Sequence, residues 1–381
     1  MHIGFDAKRF FYNATGLGNY SRNTIFSLAE TFPEHRYFLY AVQKRAKICT
    51  NPQHPGIAVQ EPCPLGRALP ALWRTWGLPR TARPHALDIF HGLSHELPAA
   101  RFSATTRTVV TMHDLLFVTH PHLYPWIDRQ IYAIKYRASC LRADVIVAIS
   151  THTAQNLCEW LRIPEERVQV VYQCCDPGFF FPPDQAAWHR VRERYHLPAE
   201  YVLFVGSLIP RKGCMTLLQA VAALPAHSRI PVVVVGTGPQ KQDLERLRAR
   251  LGLSPLVHFL GRVDSADLPA LYQQATVFSY PSVGEGFGIP ILEALCSKVP
   301  VITSTGSCFA EVGGDAALYT EPGKSEALAH ALAQVLGDSA LRQTMITRGL
   351  RQAQQFHPQA TATRLMRLYT DLHTGHNHAP K

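Results

Sequence analysis

Long apolar runs are missing from this sequence. No stretch approaches 18 consecutive apolar residues, so we expect no segment that spans a membrane. The opening residues, MHIGFDAKRF, lack the basic segment and apolar run of a secretory signal. The nine cysteines include no C-x-x-C pair, which favours reduced thiols over a disulfide framework. Together these absences predict a cytoplasmic protein.

The glycine fingerprint of dinucleotide-binding enzymes is also missing. In FYNATGLGNYSRN, Gly16 and Gly18 open a predicted helix, but Ser21 stands where a third glycine would be required. The two glycines also lie too far beyond the first predicted strand. This argues against a nicotinamide-dependent dehydrogenase and leaves Gly16 and Gly18 as candidates for a loop shaped around another substrate.

What is present is an ordinary globular composition with a basic balance. The chain has 381 residues, 46% of them hydrophobic and 17% charged, which at about 150 residues per domain predicts two folded domains. The formal net charge of +10 suits an anionic partner, such as a phosphorylated ligand, an acidic membrane or nucleic acid. A merely basic solvated surface is the alternative, and no nucleic-acid-binding module is recognised.

Short apolar runs alternate with helical stretches through both halves, which predicts α/β domains with parallel sheets. The predicted strands are 2–6, 37–42, 88–91, 106–112, 145–148, 168–172, 201–205, 231–235, 257–260, 276–280, 299–303 and 317–319. The predicted helices are 18–28, 129–141, 151–160, 212–223, 242–251, 265–274, 291–296 and 325–336. A segment rich in proline and glycine near 173–184 is the predicted linker. We therefore expect two doubly wound, Rossmann-like domains that face each other across a cleft.

The stretch EGFGIPILEAL, residues 285–295, places two glutamates around a glycine-rich turn. It follows a predicted strand, and Pro290 suits the first turn of a helix, so the N–H groups of Gly288, Ile289 and Ile291 are expected to point into the cleft. Such a helix start favours phosphate, and glycine allows close approach. Glu285 before the turn and Glu293 in the first helical turn would each accept hydrogen bonds from sugar hydroxyls. The pattern predicts a nucleotide-sugar site, while an acid in a turn and a helix-favoured acid remain the structural alternative.

Other strand ends carry further candidates. In VLFVGSLIPRKG, Arg211 and Lys212 follow a strand and could neutralise a diphosphate leaving group. In TVVTMHDLLF, His113 and Asp114 end a strand, and a histidine there could donate to a substrate hydroxyl or phosphate. The same logic covers His91, Gly92 and Ser94. In HFLGRV, a glycine turn would place the backbone of Arg262 and Val263 near a base edge.

No D-x-D pair occurs anywhere in the chain. Many sugar-nucleotide enzymes use such a pair to hold a divalent cation on the diphosphate. Here Arg211, Lys212 and a helix N-terminus would take that role, so no metal ligands and no cofactor are predicted.

These motifs resemble those of the retaining glycosyltransferases of family 4, the group 1 glycosyl transferases, which have the GT-B fold. EGFGIPILE is similar to their E-x7-E motif, and GSLIPRKG, TGLGNYSR and the H-D after a strand match in the same order. The resemblance covers nearly the whole chain and is closest to the mannosyltransferase B-like branch of bacterial O-antigen and capsule synthesis.

The resemblance implies roles for individual residues. Glu285 would contact the donor sugar, with Gly286 and Phe287 beside it, and Glu293 would contact the ribose. Arg211 and Lys212 would bind the diphosphate. His113 would bind the transferred sugar near the acceptor, and Gly18 would shape the phosphate loop. Ser207 departs from relatives that carry arginine there, which leaves the phosphate charge to Arg211 and Lys212. The catalytic set implied is thus Glu285, Lys212 and His113.

The domain plan implied is an acceptor-side domain at 1–175, a nucleotide-sugar domain at 184–355, and a segment at 356–381 whose helix, around Thr361–Leu372, returns to the first domain and ends in a tail. The expected activity is transfer of a hexose, mannose from GDP-mannose, to a saccharide or lipid-linked acceptor. Transfer of rhamnose, glucose or N-acetylhexosamine, a sugar-nucleotide epimerase or hydrolase, and a non-catalytic binder stay open as alternatives.

Two aromatic and basic patches in the first half suit an anionic membrane surface at the inner face of the cytoplasmic membrane. The first patch, residues 121–142, sets Tyr124, Trp126, Tyr132 and Tyr136 among Arg129, Lys135, Arg137 and Arg142. The second sets Trp73 and Trp76 among Arg74, Arg80 and Arg83. The alternative is that the aromatic rings belong to the core and the cations to a solvated face.

Overall fold

The computed structural model describes residues 1–42, 52–181 and 184–375. The chain forms two compact units: unit 1 is Met1–Cys174 with Phe356–Lys381, and unit 2 is Cys175–Gln355. The boundary between Cys174 and Cys175 falls within the predicted linker, of which residues 182 and 183 lie outside the described residues. The same holds for the last part of the predicted tail, residues 376–381.

Unit 1 is built on a seven-stranded sheet in which every pair of neighbours is parallel. The strands are β1 (His2–Asp6), β2 (Arg36–Tyr40), β3 (Ile57–Gln60), β4 (Ile89–Gly92), β5 (Arg107–Met112), β6 (Val145–Ala148) and β7 (Val168–Val170). Their order is β3-β2-β1-β4-β5-β6-β7. The strand order therefore reverses between β1 and β4, and ligands of doubly wound sheets bind at such a reversal, outside the carboxyl ends of the strands.

The helices of unit 1 cover both faces of this sheet, as parallel sheets require. They are α1 (Lys8–Tyr12), α2 (Gly16–Thr31), α3 (Pro64–Ala68), α4 (Pro70–Leu72), α5 (Leu78–Ala82), α6 (Leu116–Thr119), α7 (Trp126–Arg142), α8 (Thr151–Leu161) and α17 (Pro358–Thr374). A single π-helical turn, Trp73–Gly77, joins α4 to α5. The side chain of Ser150 caps α8 by accepting a hydrogen bond from the Thr153 N–H, at 3.0 Å.

The last helix, α17, belongs to unit 1 although it follows the whole of unit 2 in sequence. It packs against α2. Within unit 1, the Tyr369 hydroxyl lies 2.6 Å from Nδ1 of His91, and the Thr361 hydroxyl donates to the carbonyl of Tyr172 at 3.2 Å. The inner face of α17, which includes Leu365 and Tyr369, is buried. The segment after residue 355 thus completes the core of the first unit.

Unit 2 has a six-stranded sheet, also parallel throughout, in the order β10-β9-β8-β11-β12-β13. The strands are β8 (Val202–Val205), β9 (Val232–Val235), β10 (Val257–Gly261), β11 (Val277–Tyr280), β12 (Val301–Ser304) and β13 (Ala317–Thr320). The four valines of β9 are all buried, and β-branched side chains pack well on a pleated surface that is covered on both faces. The strand order reverses between β8 and β11.

The helices of unit 2 pack against that sheet, and those on one of its faces enclose a largely aliphatic core. They are α9 (Gln185–Tyr195), α10 (Cys214–Ala223), α11 (Lys241–Arg250), α12 (Leu268–Gln273), α13 (Ile289–Cys296), α14 (Phe309–Gly313), α15 (Ser325–Gly337) and α16 (Ser339–Ala353). Across the described residues of both units, each helix is too short or too polar to cross a membrane.

Most of the predicted helices and strands are present, with ends within two or three residues of those predicted. Several other helices and one strand of the structure were not predicted. The edge strand β3 was missed because its sequence, IAVQ, does not alternate between apolar and polar residues. In the structure its four side chains are all only partly buried. The helices α9 and α16 were missed because they are largely polar. In α9 the buried residue is Val191 alone, so the apolar stripe that marks an amphipathic helix is absent from the sequence.

Candidate active site

The loops after β8 and β11 lie side by side because these strands are neighbours at the reversal of the unit 2 sheet. The first loop includes a 3-10 turn, Pro210–Lys212, and ends at Gly213, whose φ of +73° favours glycine. A Cβ at Gly213 would overlap the carbonyl of Pro281 in the second loop. The Val283 N–H donates to the Arg211 carbonyl at 2.8 Å, so backbone contacts join the two loops.

The carboxylate of Glu285 is the centre of these loops. Its Oε1 lies 2.6 Å from Nη1 of Arg211 and 2.7 Å from Nζ of Lys212. The hydroxyls of Ser282 and Tyr280 donate to the same oxygen, at 2.7 and 2.9 Å. Arg211 also donates to the carbonyl of Gly284. Three residues that the sequence assigned to one site, Glu285, Arg211 and Lys212, therefore contact one another directly.

The charge of this cluster is fixed by its own contacts. Burial acts to raise the pKa of Glu285, but Lys212 and Arg211 outweigh it and lower that pKa to about 2. The ammonium of Lys212 also donates to the Tyr280 hydroxyl at 2.5 Å, and Tyr280 donates its own proton to Glu285. Burial, followed by the charge of Glu285, raises the pKa of the Tyr280 phenol well above its usual value. At neutral pH the cluster holds two cations, one carboxylate and a neutral phenol.

The segment after β12 forms hydrogen bonds with the backbone of the loop that carries Glu285. The hydroxyl of Ser307 accepts from the Glu285 N–H at 3.1 Å and donates to the Glu285 carbonyl at 2.8 Å. The thiol of Cys308 donates to that carbonyl at 3.2 Å. Ser307 and Cys308, as well as Tyr280 and Ser282, were not predicted from the sequence. Tyr280 and Ser282 adjoin the predicted motif and could have been found there, whereas no sequence signal marks Ser307.

Helix α13 follows a glycine turn, as predicted, but begins at Ile289, two residues earlier than predicted. Gly288 has a φ of +92°, and Pro290 lies in the first turn of the helix. The prediction that the Ile291 N–H is available was wrong, because it donates to the Gly288 carbonyl at 2.9 Å. The N–H groups of Gly288 and Ile289 remain as candidates for an anion. Phe287, in the same turn, is buried.

Glu293 lies in the second turn of α13 and not in the first turn as predicted, since the helix begins at Ile289 and contains no acidic residue in its first turn. Its carboxyl is buried, and its Oε2 accepts from the Tyr272 hydroxyl at 2.9 Å. Burial raises the pKa of Glu293 to about 8, with a smaller contribution from Asp176. Without a ligand, this carboxyl is therefore mostly protonated at pH 7 and can donate as well as accept hydrogen bonds.

Replacement of Glu293 by glutamine should change how stability depends on pH. The folded protein binds the Glu293 proton more tightly than the unfolded chain, whose carboxyl titrates near pH 4.3. Its stabilising effect is therefore complete below that pH and is lost as pH rises through about 8. We expect the melting temperature of the wild type to fall by several degrees relative to E293Q between pH 5 and 9, measured by differential scanning calorimetry.

The exposed Glu326 offers a matched control, because E326Q removes a carboxylate from the surface helix α15. The E326Q protein should follow the wild-type trend. A parallel pH dependence for wild type and E293Q would show that the Glu293 carboxyl is not held protonated by the fold.

Arg262 and Val263 follow β10, which is the edge strand of the unit 2 sheet. The turn before them has Gly261 at a φ of +69°, as the sequence suggested for a glycine turn. Arg262 is exposed. Like the Glu285 cluster, these two residues lie at the carboxyl ends of the strands. Their strand, β10, is two positions from β8, so at about 4.8 Å per strand the ends of β10 and β8 are roughly 10 Å apart.

In unit 1, His113 follows β5 and is buried beside His95 and Tyr20. Its Nε2 lies 2.8 Å from the Leu93 carbonyl, which can only accept, so Nε2 carries the proton. Burial, then the neighbouring His95, lowers the pKa of His113 to about 3, so the ring is neutral. The Tyr20 ring meets it edge to face, with centroids 4.7 Å apart. The prediction that this side chain donates to a substrate is therefore wrong for this geometry, since its remaining nitrogen, Nδ1, is an acceptor.

His91 is a structural residue. Its ring is fully buried, with Nδ1 2.6 Å from the Tyr369 hydroxyl and Nε2 2.8 Å from the Thr111 hydroxyl. Both nitrogens thus have partners inside unit 1. Asp114 accepts a hydrogen bond from the Leu116 N–H at 3.2 Å, which shapes the turn after β5.

The glycines near the first strand begin helix α2, two residues earlier than predicted. Gly16 is its first residue, and a Cβ there would meet no other atom. The Gly18 N–H donates to the Thr15 carbonyl at 2.9 Å, and a Cβ at Gly18 would overlap the Asn13 carbonyl. Close packing of the preceding loop is therefore sufficient to require glycine at 18.

A charged cluster at the end of β1 was not anticipated. Arg74 donates through Nε and Nη2 to Oδ2 of Asp6, at 3.0 and 2.5 Å, and its Nη2 lies 3.3 Å from Glu96. Burial and the nearby Arg74 lower the pKa of Lys8. The membrane role predicted for Arg74 was wrong, because its guanidinium binds two carboxylates of its own unit.

Comparison with known proteins places the chain in a family. Residues 15–179 match the family described as Glycosyltransferase Family 4, and residues 189–352 match the one described as Glycosyl transferases group 1. The O-antigen chain mannosyltransferase B of Escherichia coli is 33% identical over 286 residues, which are 74% of each chain. The chain is a glycosyltransferase of group 1. The family resemblance seen in the sequence is confirmed.

Other relatives of this glycosyltransferase point the same way. The D-inositol 3-phosphate glycosyltransferase of Corynebacterium urealyticum is 32% identical over 310 residues, 74% of this chain and 73% of that protein. The serotype-specific mannosyltransferase WbdA of Escherichia coli is 30% identical over 275 residues, but these are only 34% of its length.

Solved structures confirm the fold of the glycosyltransferase. HepE of Anabaena, crystallised with UDP and glucose, has a TM-score of 0.78 at 20% identity and covers 97% of this chain and 100% of its own. WaaG, a glycosyltransferase of lipopolysaccharide biosynthesis, has a TM-score of 0.72 at 19% identity, with coverage of 97% and 100%. Two parallel-sheet α/β units in the GT-B class are thus the architecture predicted from the sequence.

Proposed function

We propose that this glycosyltransferase moves a hexose, mannose from GDP-mannose, to a saccharide or lipid-linked acceptor, with retention of anomeric configuration. The observation that carries the proposal is the convergence of Arg211 and Lys212 on Glu285 at the sheet reversal of unit 2. The mannosyl donor is supported by the relatives named mannosyltransferases, and bacterial surface polysaccharide by the one named for the O-antigen chain. Retention rests on the E-x7-E spacing of Glu285 and Glu293.

The cluster has the charges that a nucleoside-diphosphate donor requires. A diphosphate leaving group gains negative charge as the bond to the sugar breaks, and fixed cations stabilise that charge most where water is excluded. Arg211 and Lys212 are mostly buried, so their charges are already positioned. The N–H groups of Gly288 and Ile289, at the start of α13, would add donors to the phosphate oxygens.

The two glutamates would serve different parts of the donor. Glu285 is ionised, so it can stabilise the positive charge that develops on a sugar during transfer. Glu293 is mostly neutral in the unliganded protein and would meet the ribose hydroxyls. His113, whose Nδ1 can accept, would receive a hydrogen bond from a hydroxyl of the transferred sugar. Arg262 and Val263 would lie toward the base.

We further propose that transfer needs no divalent metal and takes place on the cytoplasmic side of the membrane. The two cations of the Glu285 cluster supply the charge that a metal supplies elsewhere. Among the described residues, no three His, Cys, Asp or Glu side chains are grouped to hold a metal ion.

A donor panel tests this function. We expect GDP-mannose to raise the melting temperature more than UDP-glucose, UDP-N-acetylglucosamine or dTDP-rhamnose, since saturation at about 100 times Kd adds about 2.7 kcal/mol. Mannose should then pass from labelled donor to a mannoside acceptor, with the α-linkage of the donor in the product by NMR, and at the same rate in EDTA.

Each alternative gives a different result in the same assays. An epimerase or hydrolase would consume the donor without labelling the acceptor, and a non-catalytic binder would show the thermal shift without turnover. Activity lost in EDTA and restored by magnesium or manganese would contradict metal independence. A larger shift with a UDP-sugar would contradict the choice of donor.

A further inference from the structure

Helix α7 of unit 1 exposes a continuous apolar stripe. At about 100° per residue, the side chains at 127, 131, 134, 138 and 141 share one face. Of these, Ile127 is 64% exposed, Ile134 is 70% exposed, and Ile131 and Leu141 are also open to solvent. Trp126, at the N-terminal end of the helix, is 68% exposed. We name Trp126, Ile127, Ile131, Ile134 and Leu141 the α7 stripe.

The opposite face of α7 is fixed in the core. Tyr136 stacks on His95, with centroids 4.4 Å apart and planes 5° apart, and meets Phe117 edge to face at 5.3 Å. Ser139 and Cys140 are buried. Tyr132 and Tyr136 were predicted to lie at a membrane surface, but both rings pack against Phe117 inside the unit. Apart from Trp126, the α7 stripe is therefore aliphatic, and the packing of the opposite face holds the helix in place.

Cations border the α7 stripe on both sides. On the helical wheel, Arg137 lies on one side of the stripe and Arg142 and Lys135 lie on the other, and all three are exposed. In the part of the chain that the structure describes, none of the three forms an ion pair with an acidic side chain. Cations of this kind beside an apolar stripe match the chemistry of an anionic lipid surface.

A second copy of the chain fits this surface less well. The 4-3-4-3 spacing of 127, 131, 134, 138 and 141 is also that of a coiled-coil seam. In a coiled coil, however, opposite charges border the seam, whereas Lys135 and Arg137, near the middle of α7, would face the same cations of a second copy, and Asp128 near its N-terminal end is the one acid of this helix. The charge pattern therefore favours a bilayer.

Only part of the second patch predicted from the sequence supports this surface. Trp73 is buried, and its indole N–H donates to the Thr81 hydroxyl at 2.9 Å, while Arg74 is bound to Asp6. Trp76, Leu69 and Leu72, from the same helical segment, remain about half exposed.

We propose that the α7 stripe docks unit 1 on an anionic bilayer. The isoleucines and Leu141 would enter the boundary between headgroups and acyl chains, and Trp126 would sit at the headgroup level. Lys135 and Arg137 would contact anionic headgroups, whereas the guanidinium of Arg142 donates to the Leu97 carbonyl at 3.1 Å. The proposal rests on the geometry of unit 1 and does not depend on the donor or the reaction proposed above.

Vesicle flotation tests the proposal. Full-length protein should float with vesicles of phosphatidylglycerol and phosphatidylethanolamine at low salt, and not with phosphatidylcholine alone. I127Q/I134Q should reduce the bound fraction about tenfold, because it removes the two most exposed aliphatic side chains of the α7 stripe. K135Q/R137Q should reduce binding at low salt and weaken its salt dependence.

Matched variants keep the test specific. Trp160 on α8 is 56% exposed, so W160Q removes a comparable apolar group from another helix of unit 1, and it should bind as the wild type does. K241Q/R246Q makes the same charge change on α11 and should also leave binding unchanged. Circular dichroism checks that each variant is folded.

The proposal fails if the wild type stays in the soluble fraction on anionic vesicles at low salt, or if W160Q loses binding as much as I127Q/I134Q. It also fails if analytical ultracentrifugation shows a dimer that I127Q/I134Q converts to a monomer while vesicles bind neither protein. Transfer to a water-soluble acceptor should be unaffected by I127Q/I134Q, so loss of docking can be told apart from failure of the proposed activity.

Discussion

Glu285→Gln should lower the rate of sugar transfer by about a thousandfold or more, the upper range for loss of one electrostatic contact in an active site. Glutamine keeps the shape of the side chain and an oxygen that can accept from Ser282 and Tyr280. It lacks the negative charge that Arg211 and Lys212 maintain by lowering the pKa of Glu285 to about 2. The positive charge that develops on the sugar would then lose its counter-charge.

Nucleotide binding should respond differently to this substitution. Because E285Q releases Arg211 and Lys212 from their carboxylate partner, affinity for the nucleoside diphosphate should stay within about threefold of wild type or become tighter. Isothermal calorimetry with GDP and initial rates with GDP-mannose give the two quantities. Collapse of nucleotide affinity together with normal residual turnover would show that Glu285 does not act on the sugar.

The control must separate chemistry from folding. E285Q leaves two mostly buried cations without a carboxylate, and breaking a buried pair costs on the order of 3–5 kcal/mol. Rates should therefore be measured well below the melting temperature of the variant. Glu245 lies on the surface of α11, 3.8 Å from Lys241, and E245Q makes the same chemical change with no expected effect on rate or affinity.

Lys212→Ala is expected to lower kcat by about 10²–10³-fold, with a smaller change in KM, because leaving-group charge is greatest in the transition state. The substitution removes the ammonium that donates to both Glu285 and Tyr280. Arginine at 212 should restore little, since a planar guanidinium cannot reproduce the point-like contacts of an ammonium with a carboxylate and a phenol at once.

Steady-state kinetics over a range of donor concentrations measure this effect, with the exposed Lys241→Ala as control. A loss confined to KM would assign Lys212 to ground-state binding of the donor. If kcat and KM both changed by less than about threefold, Lys212 would have no role in binding or transfer of the donor.

The sequence was sufficient for the fold and for the grouping of Arg211 and Lys212 with Glu285, because both depend on local patterns. Buried parallel strands such as β9 are continuous runs of valine, and the motifs with Arg211, Lys212 and Glu285 directly follow such strands. Parallel strands bring their carboxyl ends to one edge of the sheet, so motifs that are distant in sequence can be assigned to one site from their positions after strands.

What the sequence could not give depends on packing between distant segments. Ser307 holds the backbone of Glu285 from a loop after another strand, and nothing in its own neighbourhood marks it. The tautomer of His113 is set by the carbonyl of Leu93, and the burial of Tyr136 by His95 and Phe117. Glu293 was assigned to the first helical turn because the start of α13 could not be fixed from the glycines alone.

In the unliganded cluster, the Glu285 carboxylate is bound to Arg211 and Lys212, the two cations that would meet a phosphate. It would therefore compete with that phosphate from within the same chain. Because it belongs to the same chain, its effective concentration at Arg211 and Lys212 is set by geometry and does not fall on dilution. Inorganic phosphate or another small anion would have to displace the Glu285 carboxylate, and it would gain few other contacts in return. A donor that also offers a sugar, a ribose and a base would gain more contacts, so under the proposed function the resting cluster would discriminate against fragments of its own substrate.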